Sequence, residues 1–448
     1  MKRTQTALAC AFLAMASMTL AAGADPARPE RLGNPFLSHW PDDPYARNIW
    51  TMRAFDGALY LGAGNSSNVG PSQNAGPVPV ITFDGETFAT AFTVDDEQVT
   101  VFYEDGDALV VPGHDAREDW SLGNVYRRRD GDWRKLRTVP RGLHVYDLRR
   151  FDDRLVAAGG AYGQPFDAWF SDDDGESWRP AALSPNPAFA VPEAPDGAYQ
   201  RLVGGGLYGR CYTLFEIGAD LFASCTAPLA PAGAEPPEGT APLIATLFRH
   251  DGDDGFAPLA FHPASLPANR REAFVRAGVD LFPGLSFPDG DPRQHTPRVE
   301  RATAIGEATL YIGAWPHNDH QWIPFGLFLA HAPHDAQRLQ IPAGFAPYDI
   351  LTTDKEVYVL ANGADSEGGF QISVLKPADA SMTRWTSILQ FDAPAPARSF
   401  AILGDFLYFG LGAEISEPEL DGADRAATWN AEMSAASGDV MRIPLGAL

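Results

Sequence analysis

Short apolar runs alternate with polar, glycine-rich turns from one end of the chain to the other, and one run recurs. An aliphatic residue, then Tyr, Val or Phe, then small residues appear at Leu59-Tyr60-Leu61-Gly62, Leu109-Val110-Val111-Pro112, Leu155-Val156-Ala157-Ala158, Leu221-Phe222-Ala223-Ser224, Leu310-Tyr311-Ile312-Gly313, Val357-Tyr358-Val359-Leu360 and Leu407-Tyr408-Phe409-Gly410. Runs this short, rich in β-branched and aromatic residues, fit strands. Each copy follows a tight turn, such as Phe55-Asp56-Gly57, Glu104-Asp105-Gly106, Phe151-Asp152-Asp153 or Leu403-Gly404-Asp405, with another strand-like run before it. Every unit therefore opens with a β-hairpin. Most units add a second hairpin on an Asp-Gly turn, at Thr82-Phe83-Asp84-Gly85, Arg129-Asp130-Gly131-Asp132-Trp133, Ser171-Asp172-Asp173-Asp174-Gly175 and His250-Asp251-Gly252-Asp253-Asp254-Gly255. Four strands in each of seven units predict an all-β, seven-bladed β-propeller, an architecture that removes most exposed sheet edge by radial repetition. A pair of β-sandwiches would not repeat one signature so regularly.

The last unit provides a check. Its hairpin runs from Arg398 to Gly412 and its third strand from Asp439 to Leu445, and no fourth strand follows before Leu448. Pro35 to Trp40 is the expected donor of the missing strand, closing the ring so that residues 25–448 form one domain. Ahead of it, Lys2 and Arg3 precede an apolar run from Ala7 to Leu20 and the small residues Ala21-Ala22-Gly23-Ala24. This is the pattern of a cleaved signal peptide over residues 1–24, and Leu8 is one position out of place for Cys10 to be a lipoprotein cysteine. The expected location is the periplasm or the outside of the cell, where cysteines are free to pair. Cys211 and Cys225 lie symmetrically about the turn near Gly218, which predicts a cross-strand disulfide. No other stretch is long and apolar enough for a membrane span, and a monomer is expected.

Composition narrows the function classes. Apolar residues make up 45% of the 448-residue chain, enough for a large core, while 43 Gly and 38 Pro argue against an all-helical protein. Asp and Glu outnumber Lys and Arg by 58 to 34, for a formal charge of −24. A nucleic-acid partner is excluded on that balance, since phosphate binding needs a basic footprint.

Ser171-Asp172-Asp173-Asp174-Gly175-Glu176-Ser177-Trp178 matches the Asp-box pattern Ser-x-Asp-x-Gly-x-x-Trp, and Thr82 to Phe88 is a degenerate copy. In this the chain resembles the Asp-box, BNR-repeat, sialidase-like propellers. The resemblance implies the fold, with the box on the turn between a blade's third and fourth strands, opposite the usual site. Sialidases carry an Arg-Ile-Pro near the start of a six-bladed propeller. Here the only Arg-Ile-Pro is Arg442-Ile443-Pro444, in the last of seven units, so sialidase activity is not expected.

Loop lengths identify the working face. Connections from second to third strands and from blade to blade are long: Gly64 to Pro77, Ser184 to Arg210, Thr226 to Pro242, Ala260 to Arg298, Ala314 to Pro324 and Gly412 to Gly438. They emerge on one end of the disc, where binding and catalysis usually reside. Entries to the innermost strands bring Arg47, Arg141 with His144, Arg210, Arg298 with Arg301, and Arg398 to that end, while acidic turns occupy the other. Guanidinium groups there fit an anionic ligand, because the planar fork matches carboxylate or sulfate; the same arginines would also serve to bridge blades through Asp and Glu. Trp315 and Trp322 suit stacking on sugar rings. His317, Asp319 and His320 offer two imidazoles and a carboxylate to a divalent metal such as zinc, and an Asp-rich turn could hold calcium; His317 could instead act as a base, and His295 and His114 lie near the same connections.

Two readings follow. One is an enzyme that binds and cleaves an anionic glycan, as a polysaccharide lyase or a glycoside hydrolase. Seven-bladed propeller lyases of the ulvan lyase kind are similar in architecture, secretion and the presence of His, Tyr and Arg at one mouth; the similarity implies that arginine neutralises a uronate carboxylate while His or Tyr moves the protons. His144, Tyr146 and His317 are then the catalytic candidates, with Tyr208 and Arg210 beside them, and Arg210, Arg301, Arg398, Trp315 and Trp322 bind ligand. A hydrolase would need two carboxylates facing each other. The other reading is a non-catalytic scaffold for another envelope protein.

Overall fold

The computed structural model describes residues 28–66, 74–185, 198–202, 209–232, 242–266, 280–286, 296–317, 321–365, 368–414 and 431–448. Seven sheets, antiparallel except where Ala182–Leu183 runs parallel to Gly255–Phe261, surround a central channel. Their innermost strands, in order, are Thr51–Phe55, Tyr103–Asp105, His144–Phe151, Arg210–Ile217, Arg298–Ile305, Phe345–Thr352 and Ala397–Leu403. Each pairs with the strand carrying the repeated signature: Ala58–Gly62, Ala108–Pro112, Arg154–Gly160, Asp220–Pro231, Ala308–His317, Val357–Ala364 and Phe406–Leu411. These second strands face a neighbouring blade on both sides, so they read as unbroken apolar runs without polar alternation. Their residues anchor seven apolar clusters, one in each gap between blades, including a seventh-to-first cluster that unites Leu59 and Phe83 with Tyr408 and Val440.

Ring closure uses a different segment from the one expected. Glu30–Gly33 pairs antiparallel with Val440–Pro444 and supplies the seventh blade's outer strand. Two ion pairs hold it, Arg31 to Asp439 at 2.6 Å and Glu30 to Arg442 at 2.7 Å. Pro35 to Trp40 is instead a run of turns, in which the amides of Leu37 and His39 bond back to Asn34 and Phe36 and the Phe36 ring is fully buried under the seventh-to-first gap. Proline at its head has no N–H to give a ladder. The Arg-Ile-Pro is thus structural, with Arg442 also lying 4.5 Å over the Phe406 ring.

Two of the expected loops contain paired strand. Ala314 to Pro324 continues the fifth blade's second hairpin, with Ala314 opposite Pro324 and His317 opposite Gln321. Thr226 to Pro231 extends the fourth blade's second strand and pairs with Tyr199–Arg201. Between Gly412 and Gly438 the chain forms a helix over Ala431–Ala436. The Asp-box turn behaves as a fold device: Asp173 accepts from the Ser177 amide at 2.8 Å, Gly175 has φ +87°, and Trp178 is buried in the cluster between the second and third blades.

The disulfide Cys211–Cys225 joins directly opposed residues of the fourth hairpin. It is consistent with an oxidising compartment. Residues 1–24, assigned above to a signal peptide, lie outside the described residues, and no helix among those described is long and apolar enough to cross a membrane.

Candidate functional site

The channel opens into a cavity of about 1200 Å³ to which the innermost strands of all seven blades contribute. What aims side chains into it is a repeated irregularity. In blades 3 to 7 the innermost strand loses register with its partner by one residue near its start, and the residues skipped are Tyr146, Tyr212, Glu300, Tyr348 and Arg398. A β-bulge leaves its extra residue unpaired and turns it out of the sheet, and here four of the five line the cavity as a phenol or a guanidinium. In blades 3 and 6 the residue just after the bulge secures the next blade. Asp147 accepts from the Leu214 amide at 2.7 Å, and Asp349 from the Phe400 amide at 3.3 Å. Burial raises the pKa of both, that of Asp349 to about 6.

Two residues before each bulge stand His144, Arg210 and Arg298 in blades 3, 4 and 5, against Ala346 and Pro396 in blades 6 and 7. The ionisable positions therefore cluster on one side of the mouth. There the rings form a ladder. His144 stacks on Tyr146 with centroids 5.3 Å apart, Tyr146 on Tyr212 at 5.4 Å, and the Arg298 guanidinium lies 4.5 Å over Tyr212. His114 meets Tyr146 edge-on at 4.4 Å. Arg210 lies half-buried beside both phenols and is held more firmly protonated by them, Tyr146 foremost. Among the described residues no carboxylate comes within ion-pair distance of it.

Both imidazoles are neutral at pH 7. Burial, with Arg210 and Arg298 adding their charge, pushes His114 down to about 3. Its ring nitrogens are engaged by the Ser66 hydroxyl at 3.0 Å and the Thr100 hydroxyl at 3.4 Å. Burial and Arg210 likewise press His144 well below the ordinary imidazole value. Asp115, in contact with Nδ1 of His144, fixes the tautomer, leaving Nε2 as the basic nitrogen. Asp115 itself sits at φ +68°, a left-handed conformation unusual for a residue other than glycine. Burial raises the Tyr146 phenol well above its ordinary value although Arg210 pulls the other way, so it is a proton donor at neutral pH.

The remaining candidates are placed as follows. Arg301 pairs with Asp349 at 3.6 Å and reaches the Trp50 carbonyl at 3.0 Å, linking the fifth blade to the first. Arg398 is sandwiched between Trp50 and Tyr348 and donates to the Ala413 carbonyl at 2.6 Å. Both line the cavity, on the side away from the ladder's start. Arg47 is buried on backbone carbonyls of Trp40, Pro41, Ser434 and Ser437, a packing role. Trp315 packs against Phe325 at 4.8 Å. The proposed metal set falls outside the description, since Asp319, His320 and the His317 side chain are not described; nor are the Trp322 side chain, Tyr208 and His295. Among the described residues no group of three metal-ligating side chains converges. Tyr212, Asp115 and Ser66 escaped the sequence reading. The signal that would have found Tyr212 is its alignment with Tyr146, each two residues after a basic residue at the start of an innermost strand.

No protein-family model and no curated protein matches the chain. Similar solved structures include a computationally designed protein, Ika8, at 9% identity over 90% of this chain and 98% of that one, with a TM-score of 0.40. BamB from Moraxella catarrhalis matches at 10% identity, covering 94% and 99%, also at 0.40. An endo-arabinase from Bacteroides thetaiotaomicron matches at 10% identity, covering 65% and 92%, at 0.30. At such identities and scores the likenesses say nothing about activity.

Proposed function

We propose that this is a secreted or periplasmic polysaccharide lyase acting on uronate-bearing chains. The observation that supports it most is the ladder at the mouth: a neutral imidazole, a protonated phenol and the Arg298 guanidinium in one stack, with the Arg210 guanidinium beside it. β-Elimination needs those parts. Arg210 and Arg298 receive the uronate carboxylate, and drawing its charge away acidifies the adjacent C5–H. His144 Nε2 takes that proton, held in position by Asp115; the C4–O4 bond breaks as the C4=C5 double bond forms; and the Tyr146 hydroxyl gives its proton to the departing O4. Tyr212 supplies a face for the ring and seats Arg298, while His114, pinned by Ser66 and Thr100, fixes the edge of Tyr146.

Hydrolysis is less well supported, because among the described residues every carboxylate lining the cavity is already engaged. Glu300 bonds Arg298 at 2.6 Å, Asp349 faces Arg301, Glu104 pairs with Arg53, Asp115 with His144, and Asp147 serves backbone amides. Among the described residues no two remain free to act as the acid and base of a glycosidase. The test is incubation with polygalacturonate, alginate and sulfated uronate polymers, following the ultraviolet absorbance of the unsaturated product. Appearance of that product in the wild type and its loss in His144→Ala supports the proposal. Release of reducing ends without the absorbance would replace the lyase with a hydrolase, and binding without any product would leave a scaffold.

A further inference from the structure

Four large apolar side chains stand exposed among the described residues, and two of them, Trp120 at 60% and Tyr162 at 56%, flank one arginine on the rim of the mouth. Trp120 lies in the connection from second to third strand of blade 2, Tyr162 in the equivalent connection of blade 3, and Arg141 in the link between these blades, three residues before His144. Backbone hydrogen bonds tie the three together: the Arg141 amide donates to the Ser121 carbonyl at 2.8 Å, and the Tyr162 amide to the Arg141 carbonyl at 3.4 Å.

Exposure here does not come from looseness. Tyr162's loop is fastened by Arg201, which donates to the Ala161 carbonyl at 2.6 Å and the Gln164 carbonyl at 3.2 Å, and by Asp167, which accepts from the Ala161 amide at 2.9 Å. Trp120's turn is fastened by Asp119, which accepts from the Ser121 amide at 2.9 Å and whose carbonyl receives Arg137 at 2.7 Å. Arg141 is held at φ +52° although Gly142 adjoins it, a conformation that costs a non-glycine residue energy and accumulates at functional positions. Its guanidinium finds no carboxylate within ion-pair distance among the described residues, in a chain where acids outnumber bases by 58 to 34. The nearest polar contact is the Tyr162 carbonyl at 3.5 Å.

We infer that Trp120, Arg141 and Tyr162 form an outer subsite for an anionic polysaccharide, binding sugar units of the same chain whose uronate occupies the mouth. Fixed aromatic faces take the apolar face of a pyranose ring at little entropic cost, and the unpaired guanidinium takes its carboxylate or sulfate. The inference rests on the proposed function for the direction of the chain, and on the rim's own geometry for binding.

The test separates the two. Trp120→Ala, Tyr162→Ala, Arg141→Ala and Tyr146→Phe are compared with wild type by affinity electrophoresis in gels containing polygalacturonate or a sulfated uronate polymer, with neutral dextran as control. The expected result is a roughly tenfold weaker retardation of each rim variant by the anionic polymer, equivalent to about 1.4 kcal/mol, with Tyr146→Phe retarded like wild type and dextran retarding none. On long chains KM rises to match while kcat holds, and on the shortest cleavable oligosaccharide neither changes. Unaltered retardation of all three rim variants, with unaltered thermal midpoints, overturns the subsite and leaves the lyase reading standing. Rim-dependent retardation without any unsaturated product sinks the lyase reading and keeps the subsite. Equal loss in dextran and anionic gels overturns the assignment to an anionic polymer.

Discussion

The disulfide lies at the base of the ladder, between Arg210 and Tyr212, and its removal has a calculable consequence. Cys211 and Cys225 are 14 residues apart and both fully buried. Closing a loop of that length removes about 10 cal/mol/K of entropy from the unfolded chain, or about 3 kcal/mol at 25 °C. Unfolding entropy near the midpoint is about 2.1 cal/mol/K per residue, so a chain of this size carries roughly 0.9 kcal/mol per degree, and the double variant Cys211→Ala/Cys225→Ala should melt about 3 °C lower. Alanine is the right replacement, because two serines would bury hydroxyls and add a separate cost. Differential scanning calorimetry of the oxidised wild type and the double variant measures the difference. The hairpin remains paired from Thr213 to Ile217 after the bond is gone, so the ladder should survive and kcat fall only a few-fold. A midpoint within 1 °C of wild type would refute the reasoning, showing that the unfolded chain keeps this hairpin closed without the bond.

Tyr146→Phe should lower kcat by about 10²- to 10⁴-fold with little change in KM, the span for losing a general acid, and steady-state kinetics on polygalacturonate or alginate decide it; unchanged kcat moves the proton donor elsewhere. In the wild type the acid limb of the kcat/KM profile should lie below the ordinary imidazole value of 6.5, because burial and Arg210 keep His144 neutral; a limb above it would contradict the assigned base. Arg298→Lys keeps the charge but loses the fork over Tyr212, and affinity for the anionic polymer should fall about tenfold, measured by calorimetric titration. Asp96 is buried and pushed up to about 6, chiefly by desolvation. Its folded pKa exceeds its unfolded one, so the native state binds the extra proton and this contribution, about 3 kcal/mol, is fully present below pH 3.8 and lost as pH rises through 6. Urea unfolding at pH 4 and 7 should therefore show a steeper decline for wild type than for Asp96→Asn, and equal declines would contradict the shift.

Blade number, hairpin order and the disulfide were legible in the sequence because each depends on local chemistry: Asp-Gly turns, double-faced apolar strands and two cysteines equidistant from a turn. Ring closure was less legible. Glu30–Gly33 has no apolar run of its own and pairs through charges to Asp439 and Arg442, more than 400 residues away, while Phe36 and Trp40 look like strand residues although they cover an inter-blade gap. The site divides in the same way. His144, Tyr146 and Arg210 could be named from their position at an innermost strand's start, but the stack requires a register shift that no single residue announces. Tyr212 and Glu300 become comparable with Tyr146 only when the bulges are superposed. Ala314 to Pro324 looked like a loop because its two prolines and its polar tip hide a paired hairpin.

Acidity on one face and arginine on the other is too simple a picture of the disc. The acidic turns have arginines of their own: Asp105 receives Arg127 and Arg150, Asp174 receives Arg150, and Asp254 receives Arg154 and Arg179. The pairs at Asp105 are buried and those at Asp174 and Asp254 partly exposed, and they leave that face locally balanced. At the mouth the arrangement differs. Arg210 and Arg141 have no carboxylate within reach among the described residues. Nearby acids are committed elsewhere: Asp147 to amides, Asp115 to His144, and Asp167 to Arg201. What sets the mouth apart is therefore uncompensated guanidinium, not the number of arginines. Arg210 lies half-buried beside two phenols, with a guanidinium fork that matches a carboxylate. On the lyase reading, a molecule with a net charge of −24, which repels polyanions as a whole, would draw them to this opening through those guanidinium groups.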